Sequence, residues 1–270
     1  MALLFDGIDD RAMSASIAAI PLVQPFTLGA VIVVNTLGGN QVIAQTSSAN
    51  PFLPWRFLVI ASGAPRLSPG NATAGFTLTA GETVFVAVAS LDSTTHRFFA
   101  YRYAARSELT SLQATAVAPG STSSPRLKIG CQSTDETDTA FSSFFAGTMT
   151  WLGIWDRYLG SVGDGYDQLR ALAQLGPLAV GDPAFLADFR EGQGSVVRDR
   201  SGNGNHANMA NFPASPWQPE GLGGAWWARR TRLAQKKYNP LGDVMPTSVR
   251  NLTPARSIQL LTPSRSVVKL

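Results

Sequence analysis

Residues 144–156 read Phe-Phe-Ala-Gly-Thr-Met-Thr-Trp-Leu-Gly-Ile-Trp-Asp, and their alternation decides the fold class. At period two, Phe145, Met149, Trp151 and Trp155 share one face, while Phe144, Leu152 and Ile154 share the other. A strand that is apolar on both faces needs cover on both, which places it in the middle of a sandwich or beneath a covering segment. Outward from it, β-branched and aromatic runs recur at 26–35, 41–45, 56–61, 75–79, 83–91, 96–104 and 126–131, separated by Gly, Pro, Asn and Ser. Only 161–175 has helical spacing, through Val162, Tyr166, Leu169, Leu172 and Ala173, with Ser161 or Asp164 as N-cap and Gly176-Pro177 as the stop. The expectation is an all-β chain: a two-sheet antiparallel β-sandwich of jelly-roll type with one short helix.

Composition agrees with that reading. Hydrophobic residues make up 44% of the 270 and charged residues only 15%, which excludes a disordered chain or a coiled coil. The lone Cys131 cannot form an internal disulfide or a cysteine zinc cage, so stability must come from burial. The Met1–Asp6 opening shows no basic, apolar or cleavage region of a secretory signal, so synthesis in the cytosol is expected. Apolar stretches such as 28–34 and 84–89 fall far short of the ~20 residues of a membrane helix, so no membrane partner is expected.

Charge divides the chain in two. Residues 225–270 carry nine basic residues against Asp243 alone, a net of +8, which leaves 13 basic and 17 acidic residues, net −4, in 1–224. The first part reads as the sandwich, the second as an extended basic arm. Within the arm, Thr253-Pro254-Ala255-Arg256-Ser257-Ile258-Gln259-Leu260-Leu261 is followed at once by Thr262-Pro263-Ser264-Arg265-Ser266-Val267-Val268-Lys269-Leu270, a nine-residue unit occurring twice, with a weaker echo around Arg250. Each unit ends in a β-prone run too short to bury itself, as expected of arms that add strands to something else; a disordered basic tail is the alternative.

Five segments carry a family resemblance. Leu4-Phe5-Asp6-Gly7-Ile8-Asp9-Asp10, Phe26-Thr27-Leu28-Gly29-Ala30, Leu127-Lys128-Ile129-Gly130, Phe145-Ala146-Gly147-Thr148-Met149, and Asp188-Phe189-Arg190-Glu191-Gly192-Gln193-Gly194 with Asp199-Arg200-Ser201-Gly202-Asn203-Gly204-Asn205-His206 follow one another in pieces over about 3–217. Together they resemble the concanavalin A-like, laminin-G-like jelly-roll superfamily, of the kind found in tailed-bacteriophage structural proteins. Ala187 stands where relatives carry an aromatic, and the SGNGNH segment follows the FDG strand where many relatives place it first, as if a permuted or second-copy strand closed the domain. The resemblance implies a fold, and such sandwiches serve as lectins, glycanases, adhesion modules and virion parts.

A glycanase of this architecture would carry its paired carboxylates in an ExDxE strand. This sequence has only Asp135-Glu136-Thr137-Asp138 in a polar loop, and Asp164 and Asp167 at a helix start where the helix dipole favours acids. His96 and His206 sit in no zinc motif, so the expectation is a non-enzyme. Calcium suits Asp199, Asn203 and Asn205, and the resemblance points to the turn at Asp9 and Asp10 as well; turn-forming roles without metal are the alternative. Trp55, Trp217, Trp226 and Trp227 could stack on sugars or pack inside. The arm could attract nucleic acid through its charge, most of all where Trp226 and Trp227 precede Arg229 and Arg230. The reading chosen is a virion structural protein of a tailed bacteriophage, for capsid decoration or tail. Its arm engages other virion subunits or second copies of itself, Arg250, Arg256 and Arg265 pairing with acids and Ile258, Leu260, Val267 and Leu270 filling pockets. A carbohydrate-binding adhesin is the alternative and a glycanase the third reading.

Overall fold

The computed structural model describes residues 1–15, 24–46, 55–68, 71–116, 126–134, 139–160 and 166–219. The arm at 225–270 and the acidic 135–138 stretch lie outside the described residues. In chain order the first strands are β1 (Ala2–Asp6), β2 (Arg11–Ser14), β3 (Phe26–Val34), β4 (Gln41–Thr46), β5 (Arg56–Val59), β6 (Pro65–Ser68), β7 (Ala72–Thr73), β8 (Thr83–Ser90), β9 (His96–Arg102) and β10 (Ser107–Gln113). There follow β11 (Leu127–Ile129), β12 (Gln132–Ser133), β13 (Phe141–Ser142), β14 (Ala146–Trp155), the helix α1 (Asp167–Leu175), β15 (Phe185–Ala187), β16 (Val196–Val197), β17 (Ala207–Ala210) and β18 (Trp217–Gln218).

Two antiparallel sheets form the sandwich. One runs β10-β9-β8-β3-β14-β1-β18 with β15 on β14, the other β16-β17-β2-β11-β4-β5-β6-β7. Alternation sends Phe26, Leu28, Ala30 and Ile32 of β3 and Val84, Val86 and Val88 of β8 inward, against Ile43, Phe57, Leu67, Leu127 and Ile129 of the second sheet. Trp55 stacks on Phe26 across this interior at 5.1 Å. The opposite face of the first sheet is apolar too: Phe85, Phe99, Tyr101, Trp151 and Trp155 pack beneath Leu169, Leu172 and Ala173 of α1. The helix is thus the cover that the doubly apolar pattern of 144–156 demanded.

The face assignment within that strand needs correction. Phe145 and Met149 face the inter-sheet core together with Leu152 and Ile154, whereas Trp151 and Trp155 face the helix. Met149 pairs with Ile32 and Trp151 with Val31, so Thr150 is an extra residue, a bulge that reverses the parity of everything after it. Strict period two cannot see such an insertion. Residues 75–79, expected as a strand, are not one; the chain there is instead organised by β6 and β7. The helix runs Asp167–Leu175, with Tyr166 at its N-cap and no side-chain capping bond, and 161–165, which include Ser161 and Asp164, lie outside the described residues. The segment after SGNGNH closes the sandwich: β17 pairs with β2 and β18 with β1.

Candidate functional site

Two places collect chemistry. The first is the turn between β1 and β2. Gly7, at φ +80°, makes the turn possible, since a Cβ there would lie 2.6 Å from the Cβ of Ala146. The Ile8 N–H donates to Asp6 Oδ1 at 2.7 Å, and the Asp6 N–H donates to Asp10 Oδ2 at 2.7 Å. Asp10 is 0% exposed, and its Oδ1 has no hydrogen-bond partner. Burial, with the charges of Asp6 and Asp9, raises the Asp10 carboxyl to about 6. Carboxylate oxygens of Asp6, Asp9 and Asp10 lie within 4.8 Å of one another. Three oxygen ligands around an unfilled buried acceptor fit a hard cation such as calcium. Asp6 is the member that sequence analysis did not single out as a ligand.

The Asp199 loop is built differently. Leu186 and Ser201 N–H groups donate to Asp199 Oδ1 at 3.1 and 2.9 Å, and the Asn205 N–H donates to Oδ2 at 2.9 Å. Asn203 Nδ2 donates to the Ala184 carbonyl at 2.9 Å, and His206 Nδ1 accepts from the Asp199 N–H at 3.1 Å. Here the aspartate organises a turn and ties it to β15. The Asn205 side-chain amide is buried without a partner. Asp199 is not part of the carboxylate cluster at Asp6, Asp9 and Asp10.

The second place is an open groove of about 750 Å³ formed by the turn before β16, lined by Arg190, Glu191, Gln193–Val196, Arg198 and Arg200. Arg190 and Arg200 each pair with Asp188 at 3.5 Å, and Arg200 also reaches Glu191 Oε1 at 3.5 Å. The Arg198 N–H donates to Glu191 Oε1, and Glu191 Oε2 is buried without a hydrogen bond, which costs roughly 1–3 kcal/mol. In sequence this stretch is part of the fifth segment of family resemblance, and Gly192 and Gly194 form turns in it at φ +69° and +85°. Its arginines are scattered in sequence and meet only because the chain doubles back at 192–195.

The remaining candidates are accounted for by packing. Trp55 is 2% and Trp217 9% exposed, both within the inter-sheet core. His96 Nε2 donates to the Thr115 carbonyl at 2.9 Å, so Nδ1 accepts from the Ser90 hydroxyl at 3.0 Å, and burial pushes this histidine below its ordinary value. Asp167 pairs with Arg170 on the first turn of α1. Trp226, Trp227 and the other arm residues lie outside the described residues.

No family model matches the chain, and no curated protein matches it either. Among solved structures it is similar to a heptameric SAP-like pentraxin from Limulus polyphemus, at 14% identity over 66% of this chain and 83% of that one, TM-score 0.46. It is also similar to a Ruminococcus gnavus IT-sialidase CBM40 bound to α2,3-sialyllactose, at 11% identity over 64% and 97%, TM-score 0.45. A third is tailspike protein 2 of an Escherichia coli O157:H7 bacteriophage, at 14% identity over 58% of this chain and 22% of that one, TM-score 0.41. The likeness concerns fold alone. No helix among the described residues is long and apolar enough to cross a membrane.

Proposed function

We propose that this chain is a non-enzymatic structural protein of a tailed-bacteriophage virion, its sandwich displayed and its basic arm anchoring it to neighbouring subunits by strand addition. The observation that carries the reading is a long sheet edge, unpaired among the described residues, together with a strand-prone arm. β10 ends its sheet with seven residues, whereas the other terminal strands β18, β16 and β7 have two each. Its sequence, Ser-Glu-Leu-Thr-Ser-Leu-Gln, holds no Lys or Pro and pairs with β9 one to one without a bulge, and its one charge, Glu108, is paired with Arg170. Leu112 on it is 57% exposed. The runs Ser257–Leu261 and Ser266–Leu270 of the repeated unit are of a length to pair there, and a +8 arm is attracted to −4 bodies.

Hydrogen exchange of the full chain over a concentration series tests this. Amides of 107–113 become protected as assembly proceeds, and Leu112→Lys, which sets a cation on the edge, weakens assembly at least tenfold. Assembly that leaves those amides unprotected would assign the arm to another acceptor.

A second reading, a carbohydrate-binding adhesin, is favoured by the polar, arginine-lined groove, since sugar sites need convergent hydrogen-bonding groups in a concavity. Calcium at Asp6, Asp9 and Asp10 belongs to either reading, as a staple of the β1–β2 turn.

A further inference from the structure

We propose that the groove before β16 binds an acidic saccharide, one carrying a carboxylate, sulfate or phosphate; the inference rests on the carbohydrate-binding reading. Arg198 is exposed, and its guanidinium has no ion-pair or hydrogen-bond partner among the described residues. Arg190 and Arg200 are 48% and 44% exposed and hold their acids at 3.5 Å, so their pairs are screened and readily exchanged. Beneath them, Glu191 is nearly covered, at 7% exposure, and its Oε2 lacks a donor. A vacant guanidinium fork beside an unfilled carboxylate acceptor is complementary to a ligand that presents an anionic group next to a hydroxyl. The fork takes the anion in two parallel bonds, and the hydroxyl donates to Glu191 once the Arg200 side chain swings aside. A neutral sugar would leave Arg198 unused, and a simple anion would leave Glu191 without its donor. The wall at 192–195 turns on Gly192 and Gly194, at φ +69° and +85°, and a Cβ at Gly194 would meet nothing within 4 Å. The ligand can therefore approach the backbone closely there.

The test uses the full chain on an array of oligosaccharides that share cores but differ in uronate, sialate, sulfate or phosphate groups, followed by calorimetry with the best-retained one. Acidic members are retained and their neutral counterparts are not. Arg198→Ala lowers affinity at least tenfold without changing the melting temperature, Arg198→Lys restores only part because an ammonium cannot form the fork, and Glu191→Gln weakens binding as well. Retention that Arg198→Ala leaves unchanged, or retention of neutral cores alone, overturns this site and keeps the carbohydrate reading. Displacement of nothing but inorganic phosphate, with no saccharide retained, overturns the saccharide assignment, and an array without any retention overturns both.

Discussion

Replacing Asp10 by Asn tests the β1–β2 turn as a cation site. The amide oxygen of Asn can still accept the Asp6 N–H, but the position no longer ionises. Below about pH 4 Asp10 holds its proton both folded and unfolded, so it contributes no pH dependence there. Between the ordinary 3.8 and the folded value of about 6, the folded protein keeps a proton that the unfolded chain has released, and stability falls as pH rises. Above that range the full cost is carried. The gap bounds that cost at about 3 kcal/mol, and solvent at the exposed Asp6 side of the turn reduces it to about 1–2 kcal/mol. Without divalent cations near neutral pH, Asp10→Asn should therefore melt about 2–8 °C higher than the parent. Calcium acts against this difference. A carboxylate site with Kd of about 0.1–1 mM, in about 10 mM calcium, gains about 1.4–2.7 kcal/mol, or about 3–11 °C, in the parent alone. Calorimetric melts with chelator and with calcium, at acid and neutral pH, read all four states. Equal calcium shifts in both proteins, or a variant less stable than the parent in chelator at neutral pH, would refute the reasoning.

Three further outcomes follow from the packing. Gly130→Ala puts a Cβ 2.3 Å from Phe5 Cε1 at φ +80°, and the Phe5 ring is fully buried between Phe145 and Phe212, so urea denaturation should show a loss of about 2–4 kcal/mol; a loss under about 0.5 kcal/mol contradicts the packing. His96 is held neutral, with its folded pKa below the unfolded value of about 6.5, so its contribution is complete above that pH and is lost as pH falls through it. His96→Gln should flatten this acid limb of the urea midpoint, and a limb of unchanged slope assigns it elsewhere. Deleting Thr150 removes the bulge and leaves Met149 and Trp151 consecutive opposite Ile32 and Val31 with their faces unchanged, so the variant should keep cooperative melting; a melt that loses cooperativity would contradict the bulge assignment.

The fold was legible where the chemistry is repetitive and hidden where one residue changes the count. The runs that became β3, β8, β9 and β14 announce themselves, because strands covered on both faces are apolar throughout. The parity of Trp151 and Trp155 was misread because an inserted Thr150 has no compositional signature. β10 was missed because an edge strand half open to solvent carries Glu108, Thr110 and Gln113 among its leucines and shows no apolar face. The β1–β2 turn was half legible: Asp9 and Asp10 stood out as a pair, whereas Asp6 read as the end of a strand, and only the fold of the turn carries it to them. The groove left no sequence signal, since Arg190, Arg198 and Arg200 converge through a turn around Gly192 and Gly194.

The account stands most directly on the arm as an assembly device. Light scattering of the full chain and of a 1–224 truncation, which keeps every described strand, at low and high salt measures it. The account predicts assemblies of the full chain that weaken as salt screens the +8 arm from the −4 body, and a monomeric truncation. Monomers of both in every salt, or equal assembly of both, would contradict it.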